Sequence, residues 1–140
     1  MVMLQQIYSE SEENMKEEKA TVLMPEELKN KIKEYPIYSQ DGLKLDAKVL
    51  VKYFNPYGAG TWLILEGQEL DDGDFELYGY IHILEWEYGY VLLSQLERIK
   101  FCNRASIERD LYTKNETLGD FLKENGQLEE YKKIFMEVDE

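Results

Sequence analysis

Carboxylates are the most abundant chemistry-bearing groups in this 140-residue chain, which carries 29 Asp and Glu against 16 Lys and Arg, with one His and one Cys. Asp71, Asp72 and Asp74 could offer oxygen ligands to Ca²⁺ or Mg²⁺. A calcium loop, however, needs alternating Asp or Asn before its Gly and a Glu six residues after it, and this spacing differs. A turn between strands is the preferred reading, and no metal or cofactor is expected. Glu66 with Asp74 or Glu76 could meet across paired strands as the two carboxylates of a hydrolase. Nothing in the spacing selects that geometry over solvated strand residues. His82 reads as a packed or partly exposed strand residue rather than a base. Cys102 has no nearby His and reads as a small, partly buried residue. A lone Cys also excludes an internal disulfide and a cysteine-based zinc cluster. Gly58 and Gly60 complete neither a dinucleotide fingerprint nor a P-loop. Arg109, between Glu108 and Asp110, reads as an internal ion pair fixing the last strand, with a site role as the alternative.

The net charge of −13 is unevenly placed. Residues 1–52 and 98–140 each carry 10 acids and 8 bases. Residues 53–97 contain no Lys or Arg but nine acids: Glu66, Glu69, Asp71, Asp72, Asp74, Glu76, Glu85, Glu87 and Glu97. The same block holds 10 of the 18 aromatic residues, among them Tyr78, Tyr80, Trp86, Tyr88 and Tyr90. Uncompensated negative charge rejects nucleic acid and steers a cationic partner. Tyr and Trp supply contact area at interface centres. A solvated surface kept for solubility explains the acids as well, and a sheet face covering its own helix explains the aromatics.

These residues need elements to position them. Residues 1–21 form a polar arm, expected to lie outside the core. Pro25, Glu26 and Glu27 open a helix through Leu28, Ile32 and Tyr35, which Pro36 ends. Residues 47–54 alternate as a strand, 61–66 form a second, 75–85 a long third and 87–93 a fourth. On the third, Phe75, Leu77, Gly79, Ile81 and Ile83 share one face and Glu76, Tyr78, Tyr80, His82 and Leu84 the other. Ser94 with Glu97 forms a capping box for a short helix ending near Lys100. A last strand follows at 107–113. Thr117 and Asp120 open another helix that Asn125-Gly126 stops, and 127–138 form a final helix striped by Leu128, Tyr131, Ile134 or Phe135, and Val138. Strands in succession with short links give an α+β fold: a four- to five-stranded mainly antiparallel sheet with flanking helices and a C-terminal helical segment. Residues 22–140 form a single domain. No apolar run reaches the roughly 20 residues of a membrane span, and no signal peptide is expected, so the chain is expected to be cytoplasmic.

The segments LMPEELKNKI, VLVKYFNP, GTWLILE, DFELYGYI, EWEYGYVLLSQLERI and IERDLY stand in the order and spacing of the family catalogued as domain of unknown function 2958. The resemblance covers about residues 22–113. It departs at Phe101–Ser106, where the family has a Gly/Pro-rich stretch. The arm and the C-terminal helix lie outside it. The resemblance implies a small protein of bacterial plasmids, phages or integrative elements, with no assigned activity. Small acidic proteins from such elements are often inhibitors of host defence, including anti-CRISPR and anti-restriction proteins.

The resulting expectation is a non-enzymatic module that binds the basic surface of a nucleic-acid-binding protein by charge mimicry, through residues 66–90. The contact set is Glu66, Glu69, Asp71, Asp72, Asp74, Glu76, Tyr78, Tyr80, Glu85, Trp86, Glu87 and Tyr88. Direct nucleic-acid and membrane binding are not expected, and the oligomeric state is left open. The alternatives are a metal- or carboxylate-dependent hydrolase and a homo-oligomeric plasmid housekeeping protein with its aromatic face buried in a self-interface.

Overall fold

The computed structural model describes residues 19–136, so most of the predicted arm, and Val138, lie outside the described residues. Helix α1 (Glu26–Lys33) starts after Pro25 with two acids in its first turn and ends with Lys31 and Lys33 in its last, matching the helix dipole at both ends. Strands β1 (Val51–Phe54), β2 (Thr61–Glu69), β3 (Phe75–His82) and β4 (Trp86–Leu92) follow. Then come α2 (Leu93–Arg98), a ribbon of β5 (Lys100–Phe101) and β6 (Arg104–Ala105), β7 (Glu108–Arg109), α3 (Leu118–Glu124) and α4 (Leu128–Phe135). The main sheet is antiparallel in the order β4-β3-β2-β1-β7, which leaves β4 as a free edge among the described residues.

Helices cover both faces. Leu28 and Ile32 of α1 and Leu93 and Leu96 of α2 pack with Tyr53, Trp62, Ile64, Phe75 and Leu77 on one face. Leu118, Phe121 and Leu122 of α3 and Tyr131 of α4 pack with Leu63, Leu65 and Tyr80 on the other. The α3 cap is as predicted: Thr117 Oγ1 accepts from Asp120 N, and Asp120 returns the bond to Thr117 N.

The strand boundaries move where tertiary demands interrupt alternation. Residues 47–50 are not ladder strand: Val49 packs against α3 while Leu50 and Val51 both face the α1 side. β3 stops at His82 because the turn to β4 consumes Ile83 and Leu84, the latter 94% exposed. The last strand shrinks to Glu108–Arg109. Ser94 does not cap α2: Gln95 Oε1 accepts from Leu92 N, and the Ser94 hydroxyl donates to Asp74 instead. Cys102 is exposed, because Cys102 (φ 52°) and Asn103 (φ 64°) form the tight left-handed turn joining β5 to β6. Among the described residues Arg109 makes no ion pair. Its Nε and Nη2 donate to the carbonyls of Val22 and Lys19, satisfying the end of the helical turn at 19–21. Ala20 is consequently buried rather than part of an outlying arm.

A bulge in β2 matters most for the site. Ile64 pairs with Gly79 but Glu66 pairs with Tyr78, so Leu65 is the extra residue. The bulge brings the two backbones close at Gly79, where a Cβ would sit 2.0 Å from the Leu63 carbonyl oxygen. It also turns Glu66 onto the face of Tyr78, so both Leu65 and Glu66 lie on the α3–α4 side.

Candidate functional site

The twelve predicted contact residues do not form one surface. Glu69, Asp71 and Asp72 are exposed at the β2–β3 turn, with half-buried Glu76 beside them. Glu85 and Glu87 are exposed at the β3–β4 turn, at the other end of β3. Eight residues of β3 separate the two groups by roughly 25 Å. Between them, Tyr80 is buried and Tyr78, Trp86 and Tyr88 are half-buried, because α4 of the same chain covers this face. Tyr80 stacks on Trp86 with centroids 5.0 Å apart and meets Tyr131 edge-on at 5.3 Å. The Tyr88 and Tyr131 hydroxyls are 2.5 Å apart. Burial raises the pKa of both phenols, so they stay neutral. The chain's own helix therefore covers the face that the self-interface reading required.

Three carboxylates offered as catalytic partners are engaged separately. Asp74 accepts from Ser94 Oγ, Ser94 N (3.1 Å) and Phe75 N (2.8 Å). The Ser94 hydroxyl is the main cause of its pKa lying below the usual carboxylate value. Glu76 accepts from Gln68 Nε2 at 3.2 Å. Glu66 is only 3% exposed, and its oxygens accept from Tyr38 N and Gln40 N, both at 2.8 Å. As a steering charge on the surface, Glu66 is thus displaced by the bulge that buries it. Among the described residues no group of three His, Cys, Asp or Glu converges as metal ligands do. His82 lies against Trp86 at the sheet end, as expected for a packed strand histidine.

The residues that do converge overlap the expected set only in part. Glu66 lies at the base of a cleft of about 320 Å³ walled by Tyr38, Tyr78, Tyr88, Tyr90, Tyr131 and Phe135, with Asp41 and Lys44 also lining it. Tyr38 is held at φ 75°, a left-handed conformation that costs a residue with a Cβ about 1–2 kcal/mol. Its backbone is fixed all the same: Glu66 takes its N–H, Asp41 N donates to its carbonyl, and Gln40 ties the loop to the sheet. Gln40 Nε2 donates to Lys48 O (2.9 Å) and Leu65 O (2.7 Å), and its Oε1 accepts from Lys48 N (2.7 Å). Tyr38 is 73% exposed and Tyr90 52% exposed. Tyr78 packs between Tyr88 (5.9 Å, stacked) and Tyr90 (4.8 Å, tilted). Two exposed rings held over a buried carboxylate make a cleft that can grip a flat or cationic group. The available sequence signal was the single acid ending the apolar run Leu63-Ile64-Leu65. No signal marked Tyr38.

A second exposed aromatic pair lies elsewhere, where Tyr57 stacks on Phe101 of the ribbon at 4.7 Å. No curated protein and no solved structure matches the chain. The family match extends beyond the motifs that suggested it, through α3 and into the first turn of α4. With residues 23–130 matched by the model described as "Protein of unknown function (DUF2958)", the chain belongs to that family.

Proposed function

We propose that this chain is a non-enzymatic, acidic protein-binding module of a mobile genetic element that engages a basic, nucleic-acid-binding surface of a host defence protein, as anti-CRISPR and anti-restriction inhibitors do. One observation carries the reading. The ion pairs among the described residues are Lys29–Glu26 and Lys132–Glu129, both outside the 53–97 block. The exposed acids Glu69, Asp71, Asp72, Glu85 and Glu87 therefore have no basic partner among the described residues, and their field points outward from both ends of the sheet. A solvated surface made only for solubility is better served by interspersed signs. The mobile-element setting is what the family resemblance implies.

The test is capture of DNA- or RNA-binding effectors from a host lysate by the intact protein, with two variants beside it. One carries Glu69→Gln, Asp71→Asn and Asp72→Asn; the other carries Glu85→Gln and Glu87→Gln. The reading expects a captured effector that is displaced by nucleic acid, released near 0.5 M salt (roughly the ionic strength that screens such contacts), and lost with at least one variant. Capture of neutral or acidic partners only, or salt-insensitive capture, overturns it.

A further inference from the structure

We infer that the Tyr38–Tyr90 cleft is a receptor for a single arginine side chain, presented by the partner that the proposed function calls for. The inference therefore rests on that reading for the source of the arginine, but its chemistry stands on the cleft alone. The cleft is lined by exposed Tyr38 and Tyr90, whose side chains hydrogen-bond to each other, and by half-buried Tyr78. Planar guanidinium stacks on such rings, and their faces attract its charge. The Glu66 carboxylate at the base already accepts two backbone N–H bonds, one per oxygen. A carboxylate has about four acceptor positions, so these two bonds leave capacity for a guanidinium N–H that reaches the base of the cleft.

The charge in the cleft favours a cation. Of its charged lining residues, Glu66 and Asp41 are acidic and Lys44 is basic. The Lys44 ammonium is directed to the Phe135 carbonyl at 3.3 Å. The backbone strain at Tyr38 adds an independent indication, because a ring that contributes little buried area is nonetheless held in an unfavourable conformation by a buried acid and a buried amide. Strain maintained by surrounding structure is characteristic of binding sites.

The experiment titrates the full chain with N-acetyl-arginine methylamide, its lysine counterpart and its neutral citrulline counterpart, following tyrosine and backbone resonances by NMR. The arginine compound is expected to shift Tyr38, Tyr78 and Tyr90 and the Glu66 amide, binding about tenfold more tightly than the citrulline compound. Tyr90→Ala should weaken it about tenfold, and Tyr57→Ala, on the ribbon, should leave it unchanged. Equal shifts by citrulline, equal affinity for lysine, or shifts mapping outside the cleft overturn the inference. Glu66→Gln loosens the Tyr38 loop, so the Tyr90 variant, whose ring is exposed, carries the test. The two readings fail separately: the Glu69→Gln, Asp71→Asn, Asp72→Asn protein must still bind the arginine compound even where effector capture is lost.

Discussion

Tyr38 donates its backbone N–H to Oε1 of Glu66, 28 residues away, across 2.8 Å. A buried acid on the central sheet thereby fixes an exposed ring on a loop. The bulge at Leu65 makes this possible by turning Glu66 toward the α3–α4 face. Sheet register, loop conformation and cleft shape are thus one mechanical unit.

Glu66→Gln should be strongly destabilising. The amide keeps one acceptor oxygen and sets an NH₂ group against the second backbone donor. The expected loss is about 3 kcal/mol, read from urea midpoints, with Glu66→Asp intermediate. A loss below about 0.5 kcal/mol would show that Glu66 does not hold the loop.

Tyr38→Gly and Tyr38→Ala both remove the ring, but only Gly relieves the left-handed backbone. Thermal melts should find the Gly variant about 1 kcal/mol more stable than the Ala variant. Both should lose affinity for the arginine compound. Equal stabilities would mean that the loop leaves φ 75° in solution.

Asp74 links the β2–β3 turn to the start of α2 through Ser94. Its pKa in the folded chain lies below the free value of 3.8. A depressed carboxylate contributes stability that is present above its unfolded pKa and disappears as pH falls through the folded one. Stability should therefore drop on acidification below about pH 4. Ser94→Ala removes the main cause of the shift and should flatten that drop relative to the parent chain, measured by urea unfolding at stepped pH. An unchanged acid limb would remove Asp74 from the account.

Tyr80 shows the opposite sign. Burial first, then Tyr131 and Glu130, push its phenol up from 10.0 to about 12. A raised acid contributes stability that is intact below the unfolded pKa and is lost as pH rises through the folded one. Stability should hold to about pH 10 and fall between about 10 and 12. Tyr80→Phe should fall less steeply over that window.

The sheet was readable from sequence where local pattern and final environment agree. The Thr117–Asp120 cap and the tight turn at Asp71–Asp74 are determined by residues a few positions apart, and they appear as expected. The bulge was not readable, since Leu63-Ile64-Leu65 is apolar on both faces and an apolar run carries no phase. Sequence alone consequently places Glu66 in solvent. Ser94 illustrates a different limit: its local cap lost to a carboxylate 20 residues away. The clustering of acids was correct in sequence and misleading in space, because β3 carries its two ends apart. The cleft combines residues from the 38–44 loop, β2, β3, β4 and α4, and no local periodicity encodes that meeting.

The edge of β4, unpaired among the described residues, gives Glu85 and Glu87 a consequence for self-association. An open strand edge with Trp86, Tyr88, Tyr90 and Val91 along it is a template on which another chain can add a strand. Two carboxylates at its leading end repel an identical neighbour and guard against edge-to-edge aggregation. Neutralising them removes that guard, so the Glu85, Glu87 variant should be checked for fibrous or dimeric species before any loss of capture is assigned to steering. On the proposed reading, one set of charges serves both ends: drawing in a foreign surface and keeping copies of this chain apart.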